Sequence, residues 1–155
     1  MRHFLEKYIQ VENMEIKVKI PLKAEIVFQG ITISTSPADS GVVWKKEQLG
    51  DYSDKSGVYI HHSNNKILYI GKTTSGQYEN FGERLRREFQ ERASGDSELY
   101  RLLKSQKGII KTYFYDLDDL DMMIDSGSIE LSKERKALII EQILIGIFLP
   151  EGNKI

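Results

Sequence analysis

Two phenols, one carboxylate and a run of arginines are the residues here from which chemistry could be built. Tyr59 and Tyr69 lie in short apolar runs, 58–60 and 67–70, separated by the polar segment 61–66 with its Ser63-Asn64-Asn65. β-branched and aromatic residues interrupted by Asn and Ser spell a β-hairpin. Cross-strand neighbours on a hairpin can bring two phenols together. Such a pair either packs a core or, with cations lowering a reference pKa of about 10, supplies a base. Glu141 lies within Ala137-Leu138-Ile139-Ile140 and Ile143-Leu144-Ile145, an otherwise apolar helical run. A carboxylate there is costly unless it is paired, protonated or metal-bound, or sits wet at the helix edge. Arg84, Arg86 and Arg87 share one segment with Glu88. They could hold a phosphate or form ion pairs on a solvated face. His61 and His62 have no third ligand at a recognisable spacing and are expected in an exposed turn.

The elements that must position these groups follow from periodicity. Residues 14–20 alternate strictly and predict a half-buried strand ended by Pro21; residues 3–12 suggest a short helix. Residues 24–34 suggest a second strand with a bulge at Gly30, 34–41 a loop, and 50–56 a polar linker. Gly57 and Gly71 bracket the hairpin, and 73–80 is expected to be an exposed loop. Phe81, Leu85 and Phe89 fall at four-residue steps, predicting a helix over about 80–93. A second helix over 97–105 and a third strand over 108–115 follow. The acidic segment 116–128 reads as a solvated loop or partial helix with no metal-ligand spacing. Ser132 caps a long helix, about 133–149, whose nearly all-apolar body is expected to be buried, ended by Pro150 and Gly152.

The 155 residues suit one domain with a small appendage and are enough to bury a core. There is no cysteine, which leaves no disulfide framework or thiolate metal site and suggests a cytoplasmic, intracellular protein. No apolar run approaches a membrane span, and no signal peptide is expected. The formal net charge of −1 argues mildly against avid nucleic-acid binding, but charge is uneven. Residues 82–111 carry eight Lys or Arg against five acids, whereas 116–125 carry five acids and no base. Local basic patches, rather than net charge, contact phosphates.

The spelling Gly57-Val58-Tyr59, nine residues, then Tyr69-Ile70-Gly71-Lys72 resembles the signature of the GIY-YIG nucleases. Glu83-Arg84-Leu85-Arg86-Arg87-Glu88-Phe89 resembles that family's first helix. Alignment on Leu85 and Phe89 selects Arg84 as its catalytic arginine. Glu141, with Pro150 nine residues on and Asn153 twelve on, resembles the family's C-terminal element. The four blocks run in the right order over about residues 55–153. Two loops are longer than in compact members. Glu88 replaces the usual Tyr or His, and could hold Arg84 or approach a metal.

The resemblance implies an α+β fold: a three-stranded antiparallel sheet (about 57–61, 66–71 and 108–115) flanked by helices. Residues 1–50 would be a β-rich N-terminal extension, a DNA-contact or dimer arm, and 51–155 the nuclease domain. It implies endonucleolytic hydrolysis of DNA, of restriction, phage or mobile-element type, with one Mg²⁺ or Mn²⁺ ion on Glu141. Arg84 would stabilise the phosphoryl charge, and Tyr59 or Tyr69 would act as base, with a pKa lowered by Lys72 or the metal. Gly71, Lys72, Arg86, Arg87 and Asn153 would contact or frame the substrate. DNA is the expected partner, a homodimer is allowed, and no membrane is involved. The rivals are a non-catalytic nucleic-acid-binding module on the same fold and an interaction protein meeting a basic partner through its acidic segment.

Overall fold

The computed structural model describes residues 9–12, 15–27, 31–38, 41–73, 79–89 and 97–154. Strands β1 (Ile9–Glu12) and β2 (Glu15–Val18) form an antiparallel ribbon, so the expected helix over 3–12 is a strand where it is described. Residues 3–8 of that expectation, and the bulge at Gly30, lie outside the described residues. A two-residue strand β3 (Lys23–Ala24) is followed by β4 (Ile31–Ala38) and β5 (Gly41–Val43). The loop expected from residue 34 is therefore strand through residue 38. Residues 46–54, partly expected as linker, form two short 3₁₀ turns joined by a kink at Gly50. It is pinned by the fully buried Leu49, by Tyr52 stacked 6.4 Å from Phe81, and by Lys55 over the Tyr52 ring.

The hairpin is made of β6 (Gly57–Ser63) and β7 (Lys66–Thr73). Its turn is shorter than the polar run suggested: only Asn64 and Asn65 lie outside the strands, at φ 51° and 59°. Two positive φ values in a row match the right-handed twist of the flanking strands, and Asn tolerates them at low cost. Helices α1 (Phe81–Phe89) and α2 (Ser97–Lys104) follow, then β8 (Ile110–Asp116), α3 (Leu117–Met123), the two-residue strand β9 (Ile124–Asp125) and α4 (Lys133–Phe148). The part of the first helix expected beyond residue 89 lies outside the described residues.

The chain adopts an α+β fold with an antiparallel sheet flanked by helices. The three expected strands are neighbours, and two more extend them, giving the order β5-β4-β8-β6-β7. Pairing of Ile31–Thr35 with Ile110–Phe114 thus ties part of the first 50 residues into the sheet. Strand alternation splits the buried side chains between two faces. Tyr59, Leu68, Phe114, Ile33 and Ile110 face α1 and α2, with Phe81, Leu85, Phe89 and Leu103 above them. Val58, Ile60, Ile70 and Tyr115 face α3 and α4, against Leu120, Ala137, Ile140 and Leu144.

Helix α4 is not buried all round, as its composition suggested. Ala137, Ile140 and Leu144 pack on the sheet, while Leu138, Ile143 and Ile147 are exposed, Ile147 by 64%. Among the described residues, no helix is long and apolar enough to cross a membrane.

Candidate active site

Strand β7 is one of the two outer strands of the sheet, and the candidate groups gather around it. Alternation along β6 turns Tyr59 and His61 toward α1, and the register sets them opposite Gly71 and Tyr69. Tyr59 is fully buried. Gly71, expected where DNA approaches, faces the Tyr59 ring: an added Cβ would lie 2.2 Å from its ζ carbon and hydroxyl oxygen. The glycine is what lets the phenol lie flat across the neighbouring strand. Tyr69 is only partly buried, its ring 6.0 Å from that of Tyr59.

Behind the phenols runs a chain of polar side chains. The Tyr59 hydroxyl donates a short hydrogen bond to Glu88 Oε1. The other carboxylate oxygen, Oε2, meets His61 Nε2 at 2.8 Å. His61 Nδ1 contacts Thr112 Oγ1 at 2.9 Å, and both residues are fully buried. A carboxylate only accepts, so Nε2 carries the hydrogen; a neutral imidazole then accepts the Thr112 hydroxyl at Nδ1. His61 is therefore a core residue rather than part of an exposed turn. Only His62 of the pair is partly exposed, its ring edge-on to Tyr113.

Arg84 stands one helical turn before Glu88. Its Nη2 donates to the Lys72 carbonyl at 3.1 Å and pairs with Glu79 at 3.6 Å. Its Nε–H is buried without a hydrogen-bond partner among the described residues. Such orphaned donors are rare, because each forfeits its hydration. Arg86 lies exposed and pairs with Glu83 at 3.2 Å, away from the phenols; Arg87 is half-buried on the same helix.

Glu141 reaches the same edge from α4. It is half-buried, its Oε1 accepts from Gln142 at 3.0 Å, and it lies in the field of Lys72 and Arg84. Tyr69 feels its charge in turn. Asn153, in the 3₁₀ turn Glu151–Asn153, is committed to backbone. Its Oδ1 accepts from the Ile70 N–H at 2.8 Å, and its Nδ2 donates to the Ile70 carbonyl at 2.7 Å. It thereby ties the chain end to the open edge of β7, beside Tyr69 and Gly71.

The electrostatics run against one expectation. Burial pushes the Tyr59 phenol well above its ordinary range, and the Glu88 carboxylate adds to the rise; Arg84 opposes it. Burial and Glu88 likewise push Tyr69 up to about 12, against hydrogen bonding with Tyr59 and the charge of Arg84. The phenols are thus harder, not easier, to ionise, because desolvation and a nearby anion outweigh the cations. Burial raises Glu141 above the ordinary carboxylate range, partly offset by Gln142, Lys72 and Arg84. Arg84 is pulled down by burial but raised overall by Tyr59, Glu88 and Glu79.

The donor set bears on a divalent cation. No group of three or more His, Cys, Asp or Glu among the described residues could hold a metal. Glu141 offers a half-buried carboxylate at this edge, which fits an ion that keeps most of its water, as Mg²⁺ does. The sequence pattern had pointed to Tyr59, Tyr69, Arg84 and Glu141. It placed His61 in an exposed turn and set Glu88 against Arg84 or a metal, whereas Glu88 accepts from Tyr59 and His61; the two-residue step from Tyr59 to His61, which puts both on one face of the strand, was there to read.

No family model matches the chain, and no curated protein matches it. Among solved structures, the chain is similar to the GIY-YIG N-terminal endonuclease domain of UvrC from Thermotoga maritima, a Tyr-to-Phe point mutant bound to the catalytic divalent cation. The identity is 18% and the TM-score 0.44, over 71% of this chain and 94% of that one.

Proposed function

We propose that the chain is a metal-dependent endonuclease that hydrolyses DNA phosphodiester bonds, of the restriction, phage or mobile-element kind. The observation that carries this reading is the buried Nε–H of Arg84, without a hydrogen-bond partner among the described residues and set at the same sheet edge as Lys72, Tyr69 and Glu141. A phosphate oxygen is the acceptor that this guanidinium lacks, and its planar fork suits the phosphate face.

Arg84 and Lys72 bind the scissile phosphate and stabilise the charge that grows on its oxygens. Tyr69, the phenol with solvent access, orients the attacking water. Glu141 holds the cation, which supplies Lewis-acid stabilisation of the phosphoryl and leaving oxygens when bound. Asn153 keeps the end of the chain, and with it the outer wall of the site, fixed against β7.

Supercoiled plasmid incubated with the chain and Mg²⁺ is expected to be nicked. Glu141→Ala should abolish nicking, and Arg84→Lys should slow it by about 10²-fold, since a point charge cannot replace the fork. DNA retained on a gel by the wild type without cleavage would turn the assignment to a binding module. Neither retention nor cleavage would turn it to an interaction protein.

A further inference from the structure

One corner of the sheet is left uncovered on the side of α3 and α4. There Tyr113 on β8 stands opposite Thr32 on β4 and Ile60 on β6, and Lys111 stands opposite Ser34 and His62. Alternation turns these side chains to one face. Thr32, Ser34 and Lys111 are exposed, and Tyr113 and His62 are half-buried. Where this corner meets the end of α4, a cavity of about 310 Å³ is lined by Ile60, His62, Asn65, Ile67, Tyr113 and Phe148. Ile60 follows Tyr59 along β6, so the cavity lies on the face opposite the Tyr59 phenol.

Its chemistry is that of a base-binding surface. Phe148 leaves 41% of itself exposed at the cavity wall, and the His62 ring stands edge-on to Tyr113, 6.2 Å between centroids. Flat rings of this kind offer faces on which another planar group can stack. Asn65 is exposed at the rim and carries both donors and an acceptor on its amide. The chain has 23 acidic residues, yet none of these six lining residues is one. Cations border the cavity instead. Lys111 lies opposite His62, and the exposed Lys107 precedes Gly108, where an added Cβ would meet Asn64 Oδ1 of the hairpin turn at 3.1 Å. The Thr32 and Ser34 hydroxyls continue the polar row across β4.

We propose that this corner binds one unpaired strand of nucleic acid, with a base in the cavity against Tyr113 and Phe148. Asn65 meets the edge of that base, and Lys111, Lys107 and the Ser34 and Thr32 hydroxyls meet the flanking phosphates and sugars. The strand must be unpaired here, because a duplex keeps its base faces inside the stack. An acyl chain would cover Ile67 and Phe148 but would leave the amide, the hydroxyls and the lysines without a task. The proposal goes beyond the nuclease reading and does not depend on it: the catalytic groups gather at β7, and this surface spans β4, β8 and β6 on the other face.

Fluorescence anisotropy of a short labelled oligothymidylate, with EDTA present to prevent cleavage, tests it. Tyr113→Leu and Phe148→Leu keep apolar bulk but remove a ring, and each is expected to weaken binding by about 10-fold. Lys111→Gln should lower the slope of log affinity against log salt by about 0.7, the share of one phosphate contact on a single strand. Phe148 and Lys111 are exposed, so their variants carry the test even if Tyr113→Leu fails to fold. Wild-type affinity in Phe148→Leu together with an unchanged slope in Lys111→Gln overturns the proposal. So does thymidine monophosphate displacing the strand at equal concentration, which would make the cavity a site for a free nucleotide. Plasmid nicking with Mg²⁺ reads the other site. A chain that nicks while these variants bind as the wild type does overturns this proposal and leaves the nuclease reading intact. One that loses the oligonucleotide in these variants but never nicks supports the proposal and overturns the nuclease.

Discussion

The Tyr59 phenol can lie where it does because position 71 has no side chain. A methyl group there would overlap the ring's ζ carbon and oxygen, and the ring is boxed in by Phe81 on its other side, so it cannot simply swing away. Gly71→Ala is therefore expected to destabilise the fold by about 1–3 kcal/mol, the range for overpacking a filled core. The loss should appear as a lower urea midpoint with an unchanged slope. At this scale type, order and spacing singled out Tyr59, Tyr69, Arg84 and Glu141 as candidates, and marked Glu88 as a partner of Arg84 or a metal; that Glu88 accepts from Tyr59 and His61 could not be read from them. A buried Glu and an exposed Glu are the same letter, and only packing between α1 and β6 brings the carboxylate, the imidazole and the phenol within hydrogen-bonding distance.

Helix α4 shows how far an element's own residues define it. Ser132 caps its start, its hydroxyl accepting from the Arg135 N–H at 3.2 Å. At the other end Leu149 adopts φ 44°, ψ 57°, a left-handed conformation that strains a side chain bearing Cβ. The residue is exposed, so little packing is lost by replacing it. Leu149→Gly is expected to stabilise the chain by about 0.5–1 kcal/mol, seen as a higher urea midpoint, because relief of strain outweighs glycine's extra unfolded-state entropy. The helix's existence and ends could be read from the sequence, but its burial could not. Apolar residues on every face do not say which face finds the sheet. In the same way residues 50–56 looked like linker, because Tyr52 is the one aromatic anchor within them and its partner Phe81 on α1 lies some thirty residues away.

For the molecule as a whole, the sheet crosses the boundary that the resemblance implied near residue 50. Strand β4 pairs with β8, Thr35 Oγ1 donates to the Ile110 carbonyl, and Ile33 and Leu49 are nearly or fully buried in the core under α1 and α2. A chain beginning at residue 51 would lose both side chains and leave β8 as an unpaired edge. Each large buried side chain removed costs about 2–5 kcal/mol, against a typical total of about 5–15. That truncated chain is expected to melt far below the full one or to aggregate through the open edge, as thermal denaturation and soluble yield would reveal.

By itself the sequence determined the hairpin and the helices on either side of it, and it singled out Tyr59, Tyr69, Arg84 and Glu141 as candidates, because alternation, capping and local spelling are properties of neighbouring residues. Tertiary structure alone decided which strand became the open edge, that Gly71 serves a ring, and that a carboxylate and an imidazole stand behind the tyrosines. Those outcomes depend on contacts between residues tens of positions apart, formed only once the two faces of the sheet are covered.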